Sequence, residues 1–208
     1  MARTMTLDEA EAEKMQASEI TESVQRRFGK VALGIDAGFG AWTGNRCAEY
    51  LGYGDALDMI PTVSLESFVG VGNPASFAGL VPGERVLDVG CGGGLDALVA
   101  AALVRPDGEV VGIDMTPEMI ERALEAAALA PWAHVRFVVA EAESIPFASG
   151  SFGVALSNGC LNLSPRKDEL LAEVYRVLDH GGRFALCDAV LKPEKAAEVS
   201  ADRDNWSL

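Results

Sequence analysis

Apolar positions along the chain fall into short runs separated by longer stretches with helical spacing. Val86, Leu87 and Val89 form the first run, residues 110–113 the second, Val135–Val139 the third, 152–157 the fourth and 184–191 the fifth. Runs this short, β-branched and bounded by turn residues, read as buried strands. Between them, Leu95–Val104 and residues 116–130 read as helices. So does a segment opened by Ser164-Pro165, with Leu170, Leu171, Val174, Tyr175, Val177 and Leu178 as its apolar side. Thr116 caps the second helix, Pro117 takes its first turn, Glu118 suits its positive end and Pro131 stops it. His180-Gly181-Gly182 reads as the C-cap of the third. Strands alternating with helices predict an α/β fold: a doubly wound, mostly parallel sheet of about five strands flanked by helices.

Ahead of the sheet the pattern changes. Thr6-Leu7-Asp8-Glu9 reads as a capping box that opens a short polar helix. A second helix is predicted over 18–28, where Ile20, Val24 and Phe28 form one narrow apolar stripe. It is either a lid over the front of the sheet or a frayed extension. Residues 34–54 carry glycines at 34, 38, 40, 44, 52 and 54, with Phe39, Trp42, Tyr50 and Tyr53 among them. Glycine without periodicity predicts loop, and aromatics within it suggest a segment that closes on something. Residues 55–79 read as irregular until a helix-like 75–80. The expected organisation is a helical and glycine-rich cap over 1–80, an α/β core over 81–191 and a short charged tail over 192–208.

Composition narrows the partners. The 208 residues are 49% hydrophobic, ample for a core of one domain. Lys and Arg number 17 against 31 Asp and Glu, a net charge of −14. Such a surface repels phosphate backbones and anionic lipid, so neither nucleic acid nor membrane is expected as a partner. No apolar run approaches the roughly 18 residues of a membrane span, and the acidic N-terminus is no secretory signal. Cysteines 47, 91, 160 and 187 lie far apart with no C-x-x-C, giving neither a disulfide framework nor a metal site. The expected location is the cytoplasm. His134 and His180 read as surface residues.

The candidate chemistry sits at the strand ends. The first strand runs into Asp88-Val89-Gly90-Cys91-Gly92-Gly93-Gly94-Leu95-Asp96 and then a helix. Glycines let the backbone approach a ligand closely, and the helix start behind them offers unpaired N–H groups. The dinucleotide fingerprint G-x-G-x-x-G needs glycine where Leu95 stands. That, and the lack of a proton-donating His or Tyr–Lys pair, counts against a nicotinamide-dependent dehydrogenase. The second strand ends in Asp114, placed to accept from ribose hydroxyls. The third ends in Ala140-Glu141-Ala142-Glu143. Acids at the carboxyl ends of successive strands lie where an open α/β sheet binds its ligand.

The form Asp88-x-Gly90-x-Gly92-x-Gly94 resembles motif I of class I S-adenosylmethionine-dependent methyltransferases. A closer resemblance, to the arsenite methyltransferase-like group, covers about residues 50–191. It rests on Gly52-Tyr53, Ile60-Pro61, Val71-Gly72-Asn73-Pro74, residues 86–96, Asp114-Met115-Thr116-Pro117-Glu118-Met119 and residues 157–165. It implies strand order 3-2-1-4-5, with the donor at the switch between strands 1 and 4. It also implies two further strands, which this chain stops before. A shortened domain, a fragment, or a partner or second copy covering the fifth-strand edge would each account for that. The cofactor implied is S-adenosyl-L-methionine, held by Asp88, Gly90, Cys91, Gly92, Asp114, Met115, Glu141, Ala142 and Asn158, with Glu141 toward the adenine amine. In that group thiolates bind As(III), and soft thiolates suit a thiophilic centre. The pattern wants Cys where Val71 and Gly159 stand. Cys160 is one residue late, and with Cys47 is the remaining candidate for a substrate thiolate; Cys91 and Cys187 read as packing residues. The reading is a small-molecule methyltransferase, with arsenite, another soft metalloid, a quinone or a chlorin-like ring open as acceptor. The alternative is a non-catalytic, nucleoside-binding partner subunit of the same fold.

Overall fold

The computed structural model describes residues 7–35, 43–130 and 134–190, with side chains from Met15 onward. Residues 1–6, 36–42, 131–133 and 191–208 lie outside that description. With them go the expectations placed on Thr6, Phe39, Trp42, Pro131 and the charged tail.

The sheet forms where the apolar runs fall. Its strands are β1 (Arg85–Val89), β2 (Glu109–Asp114), β3 (Val135–Val139), β4 (Phe152–Asn158) and β5 (Leu178–Cys187), in the order β3-β2-β1-β4-β5. Every pairing is parallel. Central strands buried on both faces need near-continuous apolar sequence. Accordingly Val86, Leu87, Val89, Val110, Ile113, Val154 and Leu156 have no exposed surface. Alternation splits them between two cores. Val86, Val110 and Leu156 pack with helix α4 (Leu95–Val104) and the cap. Leu87, Val89, Val111 and Ile113 pack with helix α6 (Lys167–Val177). Helix α4 is apolar on nearly all sides because it is enclosed on nearly all sides. Helix α5 (Pro117–Leu129) joins the α4 face through Ile120, Ala123 and Ala126.

Five sequence expectations change. The helix-like 75–80 is reduced to one tight turn, Pro74–Ser76, followed by turns. The N-terminal segment forms one helix, α1 (Leu7–Ala32), rather than two. Its stripe runs on from Ile20 and Val24 to Val31, and it is pinned to the α5 side by Gln25 Nε2 donating to the Met115 carbonyl at 2.8 Å. The Arg122 side chain donates to the Ala32 carbonyl at 2.6 Å. Within the expected glycine loop sits a short helix, α2 (Gly44–Tyr50), and within the expected irregular stretch another, α3 (Thr62–Glu66). The apolar side of α6 is narrower than expected: Leu170, Val174 and Val177 are buried, whereas Leu171 and Tyr175 face solvent. Finally, His180-Gly181-Gly182 is no helix cap. Strand β5 starts at Leu178, directly after α6, and the glycines lie inside it. Phe152 pairs with Leu178 and Val154 with Arg183, so a bulge absorbs Asp179–Gly182.

Candidate donor site at the sheet switch point

The site is built where β1 and β4 part. Gly90 N and Cys91 N both donate to the Ile113 carbonyl at 2.9 Å, folding the turn back onto β2. Gly90 has φ +73°, and a side chain there would stand 2.6 Å from Cys160 Cβ. Gly94, at φ +88°, precedes α4, and its missing side chain leaves room for the Phe137 ring. Both positions exclude other residues on backbone and steric grounds.

The turn floors a cleft that is partly open to solvent. Helix α1 lines it with Thr21, Val24 and Phe28, so the predicted stripe is part of the cleft's wall. Asp114, Met115 and Thr116 line it from the end of β2; Asn158, Gly159 and Cys160 line it from β4. The Asp114 carboxylate accepts from Gly92 N at 2.9 Å and Thr116 N at 2.8 Å. Burial raises its pKa and those two donors oppose the rise.

Other predicted residues are placed differently. Asp88 is buried behind the glycine turn and does not line the cleft. Its carboxylate faces the backbone of Ala97, one of its oxygens has no partner, and burial followed by the nearby Asp96 raises its pKa. Glu141 turns away to pair with Arg166 at 2.9 Å, while Ala142 and Glu143 form the cleft wall. Glu143 accepts from the Ser164 hydroxyl. Cys91 and Cys160 line the cleft, both with thiols raised above their usual range, chiefly by burial. Cys47 does not line it; its thiol donates to the Gly70 carbonyl at 3.5 Å. Val71 and Gly159, where the resemblance wants cysteines, are neighbours: a side chain at Gly159 would lie 3.8 Å from the Val71 methyls.

Sequence reasoning gave Asp96 no role and Tyr53 only a place among the loop aromatics, yet Asp96 is a polar centre of the wall and Tyr53 its buried partner. Asp96, buried in the first turn of α4, accepts from the Tyr53 hydroxyl at 2.6 Å and from Asn158 Nδ2 at 2.9 Å. Burial pushes its pKa up to about 6, against the pull of those two donors. The Tyr53 phenol is raised above its usual range by burial and by Asp96. Asn158 Oδ1 accepts from Val71 N and Gly72 N at 2.9 and 3.1 Å, tying the 70–73 loop to β4. The signal in the sequence was one charged residue inside the otherwise apolar Leu95–Val104. A charge in such a helix is buried only with partners.

Comparison with known proteins agrees with this geometry. Residues 80–207 match the family described as a methyltransferase domain. Over 159 residues the chain is 42% identical to an arsenite methyltransferase of Halobacterium salinarum, a match covering 76% of this chain and 40% of that protein. It is 38% identical over 116 residues to a demethylmenaquinone methyltransferase of Symbiobacterium thermophilum, covering 54% of this chain and 45% of that one. Among solved structures, an arsenic(III) S-adenosylmethionine methyltransferase from Chlamydomonas reinhardtii aligns with TM-score 0.63 and 36% identity, over 72% of this chain and 54% of that one. The chain belongs to the methyltransferase domain family and within it is similar to arsenite methyltransferases. It spans less than half the length of the curated relatives just described.

Proposed function

We propose that the chain binds S-adenosyl-L-methionine in the switch-point cleft and methylates a small molecule at carbon or oxygen. The observation that carries this is the shared crevice: Asp114, Asp96 and the glycine turn, from three consecutive elements, border one cavity. The cleft fits the cofactor. It has a floor that side chains would fill at Gly90, and buried polar groups awaiting partners. Asp114 would take the ribose hydroxyls and Ala142 and Glu143 would border the adenine. Gly90, Cys91, Gly92 and Met115 would shape the floor. Asp96, with Asn158 and Tyr53 holding it, would face the ammonium, and Asp88 would act from behind the turn. The bound sulfonium supplies an electrophilic methyl group. The chain's own contribution is alignment and exclusion of water, which methyl transfer needs more than a strong base. Helix α1 and the 70–73 loop supply that enclosure.

Arsenite is disfavoured as the acceptor. Val71 offers methyl groups and Gly159 offers none, and Cys47 is turned away from the cleft. Cys160 is present, but burial and the surrounding carboxylates keep its thiol protonated, and the thiolate is the ligand form. Quinone-like or other conjugated carbon acids suit a cleft lined by Phe28, Phe68, Val69 and Leu163 better. Four unpaired thiols fit a reducing cytoplasm. Among the described residues β5 is paired on one side only, so a second copy or partner chain is proposed to cover its other edge.

Calorimetry with S-adenosylhomocysteine tests the donor site; micromolar binding is expected, and no heat with either nucleoside removes the reading. Assays with arsenite plus glutathione, run beside a demethylated quinone, test the acceptor. Methylarsenical from the wild type that is lost in Cys160→Ser would restore the arsenite reading.

A further inference from the structure

The cap places two hydroxyls at the cleft with nothing to bond, one of them against the glycine turn. Ser64 and Ser67, on and just after α3, are 0% and 3% exposed, and neither hydroxyl has a partner. Both line the cleft. Ser67 is so close that a side chain at Gly93 would strike its Oγ. Burying a hydroxyl without a hydrogen bond is costly, and such groups in a folded protein ask for an explanation. Here they border a cleft whose floor leads into the N-terminus of the ten-residue α4.

We propose, resting on the cofactor reading above, that Ser64 and Ser67 are donors to the carboxylate of the methionyl end of the nucleoside. The chemistry of the wall sorts the two ends of that zwitterion. Asp96, in the first turn of α4 and held by Tyr53 and Asn158, is an acid suited to the ammonium. The serine hydroxyls are neutral donors suited to an anion, with Ser67 Oγ beside Gly93. The ribose end is marked by Asp114 and the adenine end by Glu143, so the carboxylate is the acceptor left for the serines. Because α3 belongs to the cap and the turn belongs to the sheet, the ligand then bridges the two and completes the wall.

The test is calorimetry on the whole chain, comparing wild type with Ser67→Ala and Ser64→Ala. The ligands are S-adenosylhomocysteine and its decarboxylated analogue, 5′-(3-aminopropylthio)adenosine, which keeps the ammonium. Each variant is expected to bind S-adenosylhomocysteine about tenfold more weakly, as for one lost bond to a charged group, and to bind the analogue unchanged. The melting temperature of the free variants is expected to stay the same or rise, because an unpaired buried hydroxyl has been removed. Unchanged binding of S-adenosylhomocysteine, or equal loss of both ligands, overturns the proposal while leaving the cofactor reading intact. If the wild type binds neither nucleoside, the cofactor reading itself fails and this proposal falls with it.

Discussion

Replacing Asp96 by asparagine separates the stability of this fold from its proposed function. The carboxyl is buried against Tyr53 and Asn158, and burial lifts its pKa from 3.8 to about 6. The folded chain therefore holds this proton more tightly than the unfolded chain does. The group's contribution is most favourable below about pH 4, declines as pH rises toward about 6, and is level beyond. The gap corresponds to about 3 kcal/mol of destabilisation at neutral pH. Asp96→Asn removes the charge and keeps the shape. The new amide can donate to the Tyr53 oxygen, whose proton then turns to the Gly72 carbonyl at 3.0 Å, and its oxygen still accepts from Asn158 Nδ2. No hydrogen bond need be lost. Urea denaturation at pH 8 should show the variant more stable than wild type by about 1–3 kcal/mol, with the gain shrinking toward zero near pH 4. Binding of S-adenosylhomocysteine should weaken in the same variant, because the acid facing the ammonium is gone. A variant less stable than wild type at pH 8, or a gain independent of pH, would refute the claim that an ionised buried carboxylate is maintained there for the ligand.

Three other outcomes are expected. Asp114→Ala should weaken S-adenosylhomocysteine binding by about 1–3 kcal/mol and lower the melting temperature, since Gly92 N and Thr116 N lose their acceptor; calorimetry and thermal melts measure the two effects separately. Gly94→Ala imposes a left-handed backbone costing about 1–2 kcal/mol. It also sets a methyl 2.8 Å from the Phe137 ring, so the urea midpoint should fall markedly. Arg183→Ala should destabilise by about 1–3 kcal/mol. That guanidinium joins β5 to Glu84 and to the carbonyls of Ala78 and Gly79. Raising the salt concentration should not abolish the loss, because the carbonyl bonds are not ion pairs.

What the sequence determined by itself is local and periodic. The first four strands, the turn from Gly90 to Gly94 and the helix Leu95–Val104 follow from apolar spacing and from glycine's freedom at positive φ, and the structure reproduces them residue for residue or nearly so, whereas β5 begins six residues earlier than its apolar run and ends at Cys187. Strand order 3-2-1-4-5 came from the resemblance carried by the motifs, and the structure has it. Where neighbours in space are distant in sequence, spacing was silent. Which carboxylate after β3 turns inward depended on Arg166, which draws Glu141 outward and leaves Glu143 at the cleft. The glycines after α6 could have capped a helix; pairing with β4 made them a bulge in a strand instead. The Asp96–Tyr53–Asn158 network joins three segments, with Tyr53 and Asn158 separated by 105 positions. Such partners are chosen by the need to satisfy buried polar groups once the cores have closed, a requirement that exists only in three dimensions.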